Sequence, residues 1–351
     1  MSKDEVVTPH VLIFPLPLQG PVNCMLKVAE LFAIKGLRVT FLNTFHIQNL
    51  LLKHTNVQFR FDNYPEFHFE TIPDGLSEDH PRSSDKLLDL ADGIEEVMKP
   101  LFKEMLIYGK MSSKSSRPVT LIIADGGYTF PVDIAKDIGI PVLYFDTISP
   151  CALWTYFCLP TLIELGEVPF KEEDYDRRVT GVGGTENFLR CRDLPSFFRT
   201  SDLNDRIIQF ILQEIHEIPR SQGMILNTSE HIDGPIISQL SSQCPNIYPI
   251  GPLHALYKSI QLSAEKASPD ANFSNSLWED DKSCMAWYDR VTIEKTVREV
   301  MEDKKDEFEK SSSMMAKLAR QSVGDQGASS HSHFNRLVED IRMMRLSTHS
   351  S

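Results

Sequence analysis

From the N-terminus to about residue 250, short apolar runs alternate with stretches of helical period. Val11–Phe14 is an unbroken apolar run of strand length. It is followed by a helical segment from Asn23 to Ile34, with Met25, Leu26, Ala29, Leu31 and Phe32 as core positions. Gly36 then acts as a stop before a second strand at Val39–Leu42. Val57–Phe61 and Phe67–Ile72 read as a third strand and an edge strand. A long helix is expected from Ser84 to Tyr108, ahead of the Ser/Lys-rich stretch 112–117. Leu121–Ala124, Val142–Phe145, Met224–Leu226 and Ile247–Ile250 supply further strands, each with a helical stretch nearby. Strands alternating with helices of this length predict βαβ units and an α/β fold built on a doubly wound, mainly parallel sheet.

The pattern changes after Gly251-Pro252. Residues 255–286 are polar and irregular, and 292–323 is strongly helical, with Ile293, Val297, Val300 and Met301 on one face. A second helical piece spans His333–Met344. No further strand pattern follows residue 250, so the last hundred or so residues lack the material for a second α/β domain. The expected division is one domain over 1–252, an interdomain linker remnant over 253–290, and C-terminal helices over 291–351. Between the strands, 167–204 reads as a long loop. Its Gly181-Val-Gly-Gly184 follows no strand and opens no helix, so it lacks the context of a phosphate-binding turn.

Charge narrows the partners. A net charge of -13 repels phosphate backbones and anionic headgroups, which argues against nucleic acid or a membrane surface. Six cysteines, at 24, 151, 158, 191, 244 and 284, show neither CxxC nor metal-ligand spacing, and they read as reduced thiols of a cytoplasmic protein. The apolar run near the N-terminus is short and broken by Pro9, Pro15 and Pro17, unlike a signal peptide or a membrane span. No metal site is expected.

A series of local stretches carries a resemblance. His10–Gly20, Thr40–Thr44, Thr71-Ile-Pro-Asp-Gly-Leu76, Ala124-Asp-Gly126 and Arg192-Asp-Leu-Pro-Ser196 come in order. Leu226-Asn-Thr228, Tyr248–Leu253, Trp278-Glu-Asp280 and Cys284–Arg290 continue them. Together they resemble the plant family 1 UDP-glycosyltransferases from residue 9 to 290, most closely the branch acting on iridoid and related terpenoid acceptors. The resemblance implies the N-terminal half of a GT-B fold, in which a Rossmann-like domain binds the acceptor and a second domain binds UDP-glucose. It also implies inverting transfer of glucose to a hydroxyl or carboxyl of a small plant metabolite, with a histidine base oriented by an aspartate. Asp125 falls on that aspartate, at the carboxyl end of a strand, where it would equally cap a following helix. Gln19, Gly20, His46, Trp154 and Phe157 are the candidate acceptor-binding residues. The aromatic stretch at 154–157 reads equally well as helix packing.

Two departures qualify what the family's chemistry implies. Pro21 follows Gln19-Gly20 where the family has its histidine, and proline accepts no proton. His46, past the second strand, is the one substitute on the same sheet edge; His10 enters the first strand at the opposite end. The family's His-x-Gly-Trp-Asn donor stretch is also missing: the three tryptophans, Trp154, Trp278 and Trp287, lie in other contexts. Asp325-Gln326 matches the family's closing pair only in letters. The sequence passes from the interdomain lead-in to the final helices across Arg290–Val291, as an internal deletion would leave it. No cofactor site is therefore expected, although the family uses a UDP-sugar donor. Two readings follow: a glucosyltransferase for a small hydrophobic acceptor, or a catalytically inactive acceptor-binding or interaction remnant that associates with an intact relative.

Overall fold

The computed structural model describes residues 8–82, 86–109, 118–199, 202–263, 277, 294–295, 297–324 and 327–348. Its centre is a seven-stranded sheet. In chain order the first part runs β1 (His10–Phe14), α1 (Gln19–Ile34), β2 (Arg38–Thr44), α2 (Phe45–His54), α3 (Val57–Phe61) and β3 (Phe67–Ile72). Next come α4 (Leu87–Gly93), a wider π turn at Ile94–Met98, and α5 (Lys99–Tyr108), then β4 (Leu121–Asp125), α6 (Pro131–Asp137) and β5 (Val142–Asp146). There follow α7 (Pro150–Phe157), α8 (Leu159–Glu164), α9 (Arg206–Glu217), β6 (Gly223–Leu226), α10 (Glu230–Leu240) and β7 (Ile247–Pro249). The chain ends on α11 (Leu253–Ser263), α12 (Lys305–Val323) and α13 (Ser329–Thr348).

Every strand pairing is parallel, in the order β3-β2-β1-β4-β5-β6-β7. Strands buried on both faces read as continuous apolar runs, which is why β1, β4 and β5 were legible without alternation. Their side chains still divide by period two. Leu12 and Phe14 enter one core layer, while Val11 and Ile13 enter the other. On the first face Phe14 stacks on Tyr128 at 4.3 Å and on Phe102 at 4.8 Å, locking α5 and the turn after β4 to the strand. On the second face α1 and α11 cover the sheet, and α13 returns to it. Phe334 stacks on Phe32 at 6.0 Å, and Leu337, Val338 and Ile341 are buried in the same layer. Tyr248 Oη donates to Asp340 at 2.8 Å, and Ser330 Oγ donates to the Gly251 carbonyl at 2.5 Å, so α13 is tied to β7 by polar contacts as well.

Three local expectations change. Val57–Phe61 is a helix, not a strand. Its letters alternate, but Val57 and Phe61 are buried while Phe59 is 62% exposed, so the operative spacing is four. Phe61 then stacks on Phe67 at 3.9 Å, which places this turn against the edge strand β3. The stretch after residue 252 is not irregular at its start: Leu253, Leu256 and Ile260 bury one face of α11. Helix α1 begins at Gln19 rather than Asn23. Pro21 fits there because amide groups in a first helical turn have no intrahelical acceptor to lose. Gly36, at φ 75°, closes that helix as expected. Among the described residues no helix is long and apolar enough to cross a membrane, and no His/Cys/Asp/Glu group is placed to hold a metal ion.

Candidate functional site

Because all strands run the same way, their carboxyl ends share one edge. The chain winds outward from β1 through β2 to β3, then crosses back to start β4 on the other side of β1. The loops after β1 and β4 therefore diverge and leave a crevice, the usual ligand position in an open α/β sheet. A cavity of ≈ 120 Å³ lies there, enclosed and mainly apolar. Leu16 follows β1, and Gly127 and Thr129 follow β4. Leu90 comes from α4, Ile94 from the π turn that follows it, and Ile207 and Phe210 from α9. Polar atoms are few: Glu95, whose Oε1 accepts from Thr129 Oγ1 at 3.3 Å, and Gln213. Two larger hollows, of ≈ 710 and ≈ 670 Å³, are open depressions. One lies between α5 and α6, and the other at the amino ends of β5 and β6. Both sit away from the strand carboxyl ends, so the smaller enclosed slot is the candidate site.

Asp125 ends β4 directly behind the slot. Its Oδ1 accepts the Gly127 N–H at 3.0 Å, and its Oδ2 accepts Thr147 Oγ1 at 3.1 Å. No helix begins until Pro131, so the aspartate closes the turn Asp125–Tyr128 instead of capping a helix. It is 4% exposed, and burial raises its carboxyl pKa to about 6 against those two hydrogen bonds. A second strand-ending aspartate, Asp146 of β5, sits beside it. Asp146 Oδ1 accepts the Ile148 N–H at 3.1 Å, while its buried Oδ2 has no hydrogen-bond partner. A Cβ placed on Gly126 would lie 2.9 Å from Asp146 Oδ2 and 3.4 Å from Glu214 Oε1, so both carboxyl groups converge on that glycine. Burial raises the pKa of both, with the charge of Asp125 adding to it at Asp146 and the charges of Asp146 and Asp125 adding to it at Glu214.

The structure brings few of the sequence candidates to this slot. Gln19 and Gly20 open α1 on the correct edge, but Gln19 Oε1 accepts the backbone N–H of Leu277 at 3.1 Å. Pro21 is half-buried in the same turn. One turn on, Cys24 feels the charges of Lys27 and Asp125, and burial raises its thiol pKa. His46 lies in the first turn of α2, with its Nε2 buried and unpartnered. Burial, and then the Arg82 guanidinium, lower its ring pKa, and it faces the loop after β3 rather than the slot. Trp154 turns inward, donating Nε1–H to the Gly183 carbonyl at 2.9 Å, with Phe157 against it at 6.4 Å. Both belong to the packing of α7, and neither lines the slot. Cys284, Trp287, Trp278, Asp325-Gln326 and the Arg290–Val291 junction lie outside the described residues. The slot walls from α4 and α9 went unread, although Ile207, Phe210 and Ile211 carry helical spacing that marks a packed face.

The same architecture recurs in solved structures. An anthocyanidin 3-O-glucosyltransferase in complex with UDP superposes with a TM-score of 0.57 at 18% identity, over 80% of this chain and 57% of its own. Os79 from O. sativa in complex with UDP gives 0.56 at 21% identity, over 79% and 58%. At these identities the likeness shows the fold, the first half of a GT-B arrangement. Sequence similarity goes further. A 7-deoxyloganetic acid glucosyltransferase of Catharanthus roseus is 44% identical over 289 residues, 82% of this chain and 60% of that protein. The chain belongs to the plant UDP-glycosyltransferases. Linamarin synthase 1 of Manihot esculenta, 32% identical over 289 residues, is a more distant relative in the same group. No model of a protein family matches the chain. This UDP-glycosyltransferase chain spans about 60% of the length of the relatives it matches.

Proposed function

We propose that this chain supplies the acceptor half of the family's reaction, the transfer of glucose from UDP-glucose to a small plant metabolite. In this reading it binds the metabolite and transfers no sugar by itself. The observation that carries it is the enclosed apolar slot at the switch point, with Asp125 immediately behind Gly127. At ≈ 120 Å³ the slot is smaller than the roughly 300–1,000 Å³ of drug-sized ligand sites, which favours one compact ring over an extended polyphenol. A hydroxylated iridoid or monoterpenoid would seat only one ring in a slot of this size, and the similarity to a 7-deoxyloganetic acid glucosyltransferase favours that acceptor class.

Three side chains near the family's base position fail to replace it. Pro21 has no acceptor, partial burial raises the half-buried Cys24 thiol above its ordinary pKa, and His46 is turned to another loop. Losing general-base help costs ~10²–10⁴ in rate. Losing the donor's positioning forfeits roughly 7–11 kcal/mol of barrier lowering, so the missing donor stretch outweighs the missing base. We read the chain as internally shortened at Arg290–Val291, with 253–290 the remnant of a linker and 291–351 the helices that closed the absent domain. The five described cysteines are all free, which suits the reducing cytosol.

The slot has a direct test. Ala91 lines it from α4, and Ala91→Phe fills it. Calorimetric titration with a small cyclic terpenoid alcohol is expected to show saturable binding to the wild type and a loss of tenfold or more in the variant. Equal affinity in both, with both folded by circular dichroism, would place the acceptor elsewhere.

A further inference from the structure

Helix α12 is packed only at its C-terminal end. Ser322 and Val323 are buried against the body, with Ser322 Oγ 2.6 Å from Ser229 Oγ on the loop before α10. From Lys305 to Met315 every residue is exposed, so these turns project about 16 Å on the usual helical rise. A 19-residue helix polar on all sides would explain that exposure, but this one is not polar on all sides. Phe308 and Met315 are 46% and 49% exposed. Seven residues apart, they share one face with Ser311, Ser312 and Ala319. An apolar seam with small residues at its middle is the pattern of a helix that meets another closely.

Charge says which helix. In its first turns, 305–309, α12 carries Asp306, Glu307 and Glu309 against Lys305. From 310 to 323 the charged residues are Lys310, Lys317 and Arg320, all basic. The half that projects furthest is therefore acidic and the half nearer the body basic. A parallel neighbour of the same sequence would set acid on acid. An antiparallel copy sets the acidic block of each helix beside the basic block of the other, within about a Debye length across the pair, and opposes the two helix dipoles. The centre of such a pairing falls between Ser311 and Ser312, where it places Phe308 opposite Met315 of the second helix in both directions. That reciprocity is what a two-fold contact requires.

We infer that this surface pairs with a second copy of the chain, α12 lying antiparallel to α12 about Ser311–Ser312. The contact is small beside the roughly 1,200–2,000 Å² of a stable interface, so the dimer is weak and dissociates on dilution. The inference does not depend on what the slot binds, and it stands or falls separately from the acceptor reading.

Sedimentation velocity across a concentration series tests it. The expected result is a shift from 39.9 kDa toward twice that mass with rising concentration, weaker at high salt. Phe308→Asp with Met315→Asp is expected to remain monomeric at every concentration while keeping the wild-type circular dichroism. Ser312→Cys is expected to give an oxidised disulfide-linked dimer. Reversing the basic block (Lys310→Glu, Lys317→Glu, Arg320→Glu) sets acid on acid at both ends of a self-pair but at only one end of a pair with the wild type, so self-pairing should be abolished and pairing with the wild type weakened. A monomer at all concentrations, a variant that dimerises as well as the wild type, or a monomer that pairs only with a full-length relative would each overturn the inference.

Discussion

Arg82→Ala is expected to lower the melting temperature by on the order of 10 °C and to abolish acceptor binding with it. Arg82 lies in the loop after β3, and its guanidinium is 5% exposed against the Asp74 carboxylate, which is 6% exposed. Nε donates to Asp74 Oδ2 at 2.9 Å and Nη2 to Asp74 Oδ1 at 3.0 Å, a bidentate pair. The remaining protons go to the carbonyls of Ser77, His80 and Leu76 at 2.8, 2.7 and 3.2 Å. Truncation leaves a buried carboxylate without its counter-charge and three carbonyls without their donor, a loss of about 3–5 kcal/mol. The effect reaches the slot because the loop rests on its wall. A Cβ on Gly93 of α4 would come within 2.3 Å of the Asp74 carbonyl oxygen, so loop and helix are in backbone contact. Lysine cannot reproduce the forked geometry, and Arg82→Lys is expected to recover only part of the loss. Thermal unfolding followed by circular dichroism measures both variants. A change under about 2 °C for alanine would show that the loop is held by other contacts.

The second large effect is a pH dependence of stability. Asp125, Asp146 and Glu214 all have folded pKa values raised above their ordinary ones, chiefly by burial. A raised carboxyl pKa means that the folded chain holds protons the unfolded chain has released. The contribution is therefore fully present below pH 4 and is lost as pH rises through the folded values, about 6 for Asp125 and higher for the Asp146–Glu214 pair. For Asp125 alone a shift of this size corresponds to roughly 3 kcal/mol. The groups around the pair are Tyr144 and Tyr156, Glu217 with its Arg220 partner, Asp133, and the Cys244 thiol. Arg220 lies against Glu217 and Asp133, so it does not neutralise Asp146. Asp146→Asn keeps the oxygen that receives Ile148 and offers Glu214 a donor in place of a second acid. The variant is expected to be more stable than the wild type at pH 8 by a few kcal/mol, on the order of the shift removed, and to show a flatter profile from pH 5 to 8. Parallel profiles for the two proteins would mean that water reaches the pair and screens it.

The sheet was legible because a strand buried on both faces has to be an apolar run, and β1, β4, β5 and β6 are such runs. Val57–Phe61 misled because five alternating residues fit either period, and only the packing of Phe61 on Phe67 decides between them. Asp125 was legible from its place at a strand end. By the same criterion Asp146 could have been found, since both follow apolar runs directly. Arg82 carried no such signal: it sits in a polar loop, and its importance arises from Asp74, eight residues back, once both are buried. Trp154 and Phe157 left both a binding and a packing role open in the sequence, and in the structure Trp154 donates to the Gly183 carbonyl with Phe157 against it. The walls of the slot come from α4 and α9, which the sequence separates by more than a hundred residues and the sheet brings together.

The most direct test of an acceptor half without a donor site is a pair of calorimetric titrations on the purified chain, one with UDP and one with a compact terpenoid alcohol, followed by a mass-spectrometric transfer assay with UDP-glucose. The expected result is saturable heat with the alcohol, none with UDP, and no glucoside. Saturable UDP binding, or glucoside formation by the chain alone, would contradict it.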